Sequence, residues 1–158
     1  MKNVTKHLLL WLEGPLQSWG CDSKFDRRDT MDFPTKSGIL GLLLCAMGKS
    51  GPQESLLSMF GSLRQTVISY KKINRPKPPK LNDFQMIGSA YNDSDPWQSK
   101  LIPKTSDGTK AVGGGSKLTY RYYLQDAIFA VLLEVPENLS EEAAQALTNP
   151  TWLAKINY

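Results

Sequence analysis

His7 to Glu13 reads HLLLWLE, a short unbroken apolar run that predicts a strand buried in the middle of a sheet. Gly14-Pro15 predicts its end, because proline has no N–H to give a central ladder. Leu16 to Phe33 has no apolar period and carries Asp22, Lys24, Asp26, Arg27, Arg28, Asp29 and Asp32, which predicts an irregular polar loop. After Pro34, the hydroxyl of Thr35 or Ser37 can cap a helix. The run ILGLLLCAM (Ile39 to Met47) is apolar on nearly every face, so that helix should be largely buried, with Gly48 and Gly51-Pro52 ending it. A second short helix fits Gln53 to Phe60, and Thr66 to Lys72 alternates as a strand does.

From Ile73 to Lys117 the periodicity is lost. The segment opens with INRPKPPK and closes with GTKAVGGGSK. It is far longer than an ordinary connection, which predicts a functional insertion or arm. Phe84, Met86, Ile87, Tyr91 and Trp97 make its middle too apolar for a solvated linker, so it should fold against a partner surface. Two strands follow, Leu118 to Leu124 and Ala127 to Val135, the second ended by Pro136. A helix capped by Ser140, with Glu141 and Glu142 at its positive end, runs to Asn149-Pro150.

Strand, helix, strand, insertion, strand, helix is most of a ferredoxin-like (RRM-like) α+β layout, a sheet with helices on one face. Only Thr151 to Tyr158 remain for a last strand, so the expectation is a single domain over residues 1–158 whose last strand is missing or truncated.

Composition narrows the function. With 41% apolar and 22% charged residues the chain reads as an ordinary globular domain. No apolar run is long enough for a bilayer and the N-terminus lacks a signal-peptide core, so the cytoplasm is expected and a membrane is not. Cys21 and Cys45 have no metal-ligand spacing, and His7 is the one histidine, so no metal site or cofactor is expected. Charge is uneven. Arg64 to Arg121 holds eleven lysines and arginines against four aspartates, while the rest holds eight basic against eleven acidic residues. A basic half suits a polyanion, although solvated lysine-rich loops carry the same signature.

Two stretches are more specific. GPLQSWG, followed by RRDTMDFPTKSGILGLLLCAMG, contains Gly14, Pro15, Gln17, Trp19, Gly20, Arg28, Thr30, Pro34, Thr35, Lys36, Ser37, Gly38 and Gly41. KLTYRYYLQDAIFAVLLE contains Arg121, Tyr123, Leu124, Asp126, Ala127 and Phe129. In these residues the chain resembles the CasD family, the guide-RNA 5′-handle-binding subunits of the type I-E CRISPR effector Cascade, within the RAMP superfamily. Members of that family continue for several dozen residues beyond the second helix, and this sequence stops near Trp152, as a truncated or naturally shortened member would.

The resemblance implies a non-catalytic subunit that grips the 5′ handle of crRNA, caps the repeating backbone subunit and bridges it to the large subunit. Target DNA would then be met only through the complex. It also implies that Ile73 to Lys117 is a basic β-hairpin thumb anchored by Arg121. The residues suit such work. Thr35, Lys36 and Ser37 at a helix start offer free N–H groups, hydroxyls and a cation to a phosphate, or simply cap the helix. Gln17, Ser18 and Trp19 can hydrogen-bond and stack an unpaired base, or pack. Arg27 and Arg28 can contact RNA or pair with Asp26 and Asp29. Lys117, Tyr120, Arg121 and Tyr122 combine cations with aromatic faces. No nucleophile or paired-carboxylate pattern is present, so no catalytic residue is assigned. RAMP endoribonucleases that process guide precursors with tyrosine, lysine and histidine are the alternative function, and a stand-alone RNA-binding domain is a second.

Overall fold

The computed structural model describes residues 5–24, 26–71, 73, 76–87, 92, 94–97, 104–109 and 117–152. Its elements are β1 (Thr5–Gln17), β2 (Gly20–Lys24), β3 (Arg27–Thr30), α1 (Lys36–Ala46), α2 (Glu54–Met59), β4 (Gln65–Tyr70), β5 (Leu81–Ile87), β6 (Lys117–Pro136) and α3 (Glu137–Thr148). They make a mixed α+β fold on one six-stranded sheet.

β6 is the spine of that sheet. Its C-terminal half lies between β1 and β4, both antiparallel, with Leu10 and Val67 on either side of Val131. Its N-terminal half lies between antiparallel β5 and parallel β3, with Phe84 and Arg27 on either side of Tyr120. Among the described residues, β2 pairs only with β3. One face carries the core. Phe129, Val131, Leu133 and Val135 from β6 meet Ile39, Leu40 and Leu43 from α1, Ala143 from α3 and Phe60, and Leu8, Leu10 and Leu12 of β1 pack at the margin. Each such large side chain contributes about 1.5–3 kcal/mol by leaving water.

The expected helices and strands recur with informative differences. β1 does not stop at Gly14-Pro15. Its pairing passes from Gly14↔Ala127 to Leu16↔Gln125, and proline is tolerated because β1 has a partner on one side alone among the described residues. Nor is β1 buried on both faces: Leu9 and Trp11 are 73% and 58% exposed. With Ile68, Tyr70 and Leu132 they line the sheet face opposite the helices. The strands expected on either side of Gln125-Asp126 are one strand, bent at Asp126, which takes the left-handed φ of 48°. The polar loop after β1 holds β2 and β3, whose charged sequences form strands through tertiary pairing rather than by any apolar pattern.

α3 starts at Glu137, directly after Pro136, and not behind a Ser140 cap. The Ser140 hydroxyl instead donates to the Glu137 carbonyl at 2.8 Å inside the first turn. Thr35 is the cap of α1, its Oγ1 accepting from the Gly38 N–H at 3.2 Å. The long insertion contains β5, which pairs residue for residue with Lys117–Tyr123, so its two ends form the base of a hairpin. No helix among the described residues is long and apolar enough to cross a membrane.

Candidate nucleic-acid interface

The N-terminal half of β6 brings cations and aromatic rings to one surface. Side chains alternate along a strand, so Tyr120 and Tyr122 share a face. Register places Arg27 beside Tyr120 from β3 and Phe84 beside it from β5. The Arg27 guanidinium sits 5.0 Å above the Tyr122 ring, a cation–π contact. Phe84 and Tyr120 meet with centroids 5.3 Å apart at 55°. Phe84 and Met86 are each half exposed, so the aromatic face is open to solvent. Asp29 steadies Arg27 through a 3.3 Å ion pair. The N–H of Thr30, and then Arg27, hold the Asp29 carboxyl below its ordinary range. The Asp29 flank expected for Arg27 is therefore real, yet the guanidinium stays largely exposed above the ring.

The opposite face of this half holds Arg28 and Arg121, level with each other in register. The Arg28 side chain is exposed and makes no hydrogen bond or ion pair among the described residues. Arg121 is half-buried, and its Nε is buried with no hydrogen-bond partner, as is Thr119 Oγ1 two residues earlier. Lys117 pairs with Ile87, and its side chain lies outside the described residues.

The start of α1 is built differently from expectation. The Lys36 ammonium points into the protein, donating to the carbonyls of Phe60 (2.5 Å), Leu63 (2.7 Å) and Gly61 (3.2 Å). All three of its protons are thus engaged at the C-terminal end of α2. A cation in the first turn of a helix opposes the helix dipole, and this reach to another helix's carbonyls is the physical reason it stands there. What α1 leaves open at its start is the exposed Ser37 side chain, whose hydroxyl donates to Thr35 Oγ1 at 3.4 Å, and the backbone N–H groups of Lys36 and Ser37.

Gln17 and Trp19 serve the fold. The Gln17 carboxamide donates to the Ala127 carbonyl at 2.7 Å and accepts from the Trp19 indole at 3.1 Å. So oriented, Trp19 packs against the core and over Gly38, where a methyl group would lie 2.9 Å from its ring. Ser18 is exposed between β1 and β2. His7 lies 3.7 Å from Glu134, whose carboxyl is held low first by the N–H of Arg64 and then by its guanidinium. Phe84 and Met86 were expected within an apolar stretch that folds against a partner, but not as members of the RNA-contact set. Their signal was the alternation NDFQM, in which exposed Asn82, Phe84 and Met86 flank half-buried Asp83 and Gln85.

Among known proteins, the family model described as CRISPR-associated protein (Cas_Cas5) matches residues 7–155. The chain belongs to the Cas5 family. Among curated Cas5 relatives, the Cascade subunit CasD of Escherichia coli K12 is 29% identical over 134 residues, covering 82% of this chain and 54% of that protein. A chain of a CRISPR RNA-guided surveillance complex superposes with a TM-score of 0.70 at 31% identity, over 93% of this Cas5 chain and 55% of the other. The crystal structure of a Cas protein gives a TM-score of 0.52, also at 31% identity, over 93% and 54%. This Cas5 chain therefore spans about half the length of the relatives it matches.

Proposed function

We propose that this Cas5-family chain is a non-catalytic, RNA-binding subunit of a bacterial Cascade-type complex in the cytoplasm, holding the 5′ handle of crRNA. In that role it caps the backbone subunit and bridges it to the large subunit, and it meets target DNA only through the assembly. The observation that carries this reading is the open face where Arg27 lies over Tyr122 beside the Phe84–Tyr120 pair. Unpaired bases stack on such a surface, at about 1–3 kcal/mol per base, while the guanidinium takes the adjoining phosphate. Arg28, Arg121, Lys117 and the free N–H groups at the start of α1 would extend the grip along the backbone, with Ser18 and Ser37 adding hydroxyls. Gln17, Trp19, Thr35 and Lys36 act behind this surface, holding β1 and α1 in place.

The β5–β6 hairpin is the base of a thumb spanning Ile73 to Lys117, set to insert between guide nucleotides. The antiparallel order β1, β6, β4 is that of a ferredoxin-like sheet whose last strand would sit on the outer edge of β1. We assign that edge, and the apolar face of Leu9, Trp11 and Ile68 next to it, to the polypeptide that longer relatives carry beyond the matched region.

The geometry speaks against the endoribonuclease alternative. The single histidine, His7, is in register with Glu134, fourteen residues along β6 from Tyr120 and on the far side of the bend at Asp126. It cannot join those tyrosines in acid–base cleavage. The test is handle-RNA retention by the assembled complex over a salt series, comparing wild type with Arg27→Ala plus Tyr122→Ala. The proposal expects weaker retention and a salt slope reduced by about 1. Unchanged retention overturns the assignment of this face, and cleavage of precursor RNA by the chain alone overturns the non-catalytic reading.

A further inference from the structure

β4 and β5 both pair antiparallel with β6 but do not meet. β4 pairs as far as Tyr70↔Ile128, and β5 begins at Leu81↔Tyr123. Between the two, Leu124, Gln125 and Ala127 pair with β1 and with no other strand among the described residues. A cavity of about 320 Å³ lies at this gap, lined by Leu124 to Phe129 together with Tyr70, Lys71 and Pro76 to Pro78. This volume is at the small end for ligand sites, room for one nucleotide and not for a duplex.

The lining is specific. Its floor is the buried Leu124 and Phe129, and the half-exposed Tyr70 forms part of the wall. Asp126 stands at the rim as the one non-glycine with positive φ among the described residues, a conformation costing about 1–3 kcal/mol that tends to persist where a ligand site needs it. Its carboxylate makes no hydrogen bond or ion pair among the described residues, and neither does the Lys71 ammonium. The other two lysines of the lining, Lys77 and Lys80, lie 3.9 and 3.1 Å from Asp32, whose single carboxylate offsets one of their two charges. The site thus offers an apolar slot with an aromatic wall, an unladdered strand edge, one free acceptor and one free cation.

A flat ring with amino hydrogens for Asp126 and a phosphate for Lys71 satisfies all of these at once. We infer that the cavity takes a single unpaired nucleotide whose base bears an exocyclic amino group. This inference rests on the RNA-binding reading, and adds a base-reading pocket separate from the stacking face of Tyr120 and Tyr122. A base without an amino group gives the carboxylate less to accept, so uracil should be disfavoured.

The test uses the full chain, isotopically labelled, titrated with AMP, GMP, CMP, UMP and ribose 5-phosphate while amide resonances are followed. Amides of Gln125 to Ile128 should move with AMP, GMP and CMP, less with UMP, and not with the sugar phosphate. Asp126→Asn, which still tolerates the left-handed backbone, should weaken the amino-bearing nucleotides at least about fivefold. Lys71→Ala should weaken all four and flatten their salt dependence. If Asp126→Asn does not fold, Asp126→Gly, which relaxes the backbone, carries the same expectation. Movement at Tyr120 and Arg27 with these amides silent overturns the pocket and leaves the RNA-binding reading standing. Silence everywhere, with handle RNA as well, overturns both. Amides here that respond to a partner subunit but to no nucleotide make the cavity a protein contact and overturn the inference.

Discussion

Replacing Lys36 with methionine separates two roles for one residue. At the start of a helix Lys36 has the right place for a phosphate contact, yet its ammonium is spent on three carbonyls at 2.5, 2.7 and 3.2 Å. Methionine keeps the aliphatic stem and removes the donors. One charge-assisted hydrogen bond contributes about 1.5–3 kcal/mol net. Two of these three are short, but they share one ammonium, and the carbonyls of exposed Gly61 and half-buried Leu63 regain some water after the change. The Phe60 carbonyl is the least able to do so, in a residue 1% exposed. The net loss should be about 3 kcal/mol. For a domain of this size that lowers Tm by about 6–12 °C. Such a loss is large beside a total stability of about 5–15 kcal/mol, without being enough to unfold the chain. Urea titration of Lys36→Met gives the stability, and handle-RNA binding measured well below the unfolding midpoint gives the function. The expected result is a lower midpoint with RNA affinity within about twofold of wild type. An unmoved midpoint with RNA affinity reduced tenfold or more would refute the reasoning and return Lys36 to the RNA surface.

Gly38→Ala should destabilise by about 1–2 kcal/mol despite alanine's better helix propensity, because the new methyl would sit 2.9 Å from the Trp19 ring. Gly41→Ala, with nothing within 4 Å of the added carbon, should stabilise by about 1 kcal/mol; denaturation midpoints of the pair check both signs. Phe84→Ala removes a half-exposed ring from the proposed stacking face, and should weaken handle-RNA binding about tenfold or more while leaving the melting curve nearly in place. Glu134 and Asp29 both have carboxyls lowered from their ordinary values of 4.5 and 3.8. A depressed folded-state value adds stability that is fully present above the unfolded value, and is lost as pH falls through the folded one. Glu134→Gln should therefore lose less of its urea midpoint than wild type does between about pH 6 and about pH 3.

Much of this fold was legible because its core segments carry strong local signals. The runs in β1, α1 and the C-terminal half of β6 are apolar enough that any globular solution must bury them. What escaped was decided by tertiary context. Pro15 looked like a strand end, and is harmless because β1 has a partner on one side alone among the described residues. β3 reads RRDT, a charged tetrapeptide that becomes a strand only by pairing with β6. The same pairing sets Arg27 over Tyr122, so the candidate site combines residues ninety-five positions apart. Lys36 was misleading for a related reason. Its position on α1 is a local property, but the carbonyls it serves come from the end of α2, which no spacing along the chain reveals. The apolar run of β1 implied burial on two faces, whereas its outer face is open among the described residues. Phe84 stood out as apolar, but its place on a strand beside Tyr120 did not, because the proline- and glycine-rich flanks of the insertion masked a short alternating run.

The most direct test of the central claim is photocrosslinking in the assembled complex, with a photoactivatable nucleotide placed at each 5′-handle position in turn and the attached peptides identified. The account predicts crosslinks to peptides containing Phe84, Tyr120 and Tyr122. Crosslinks from this chain confined to the Leu9–Trp11–Ile68 face, or reaching only other subunits, would contradict it.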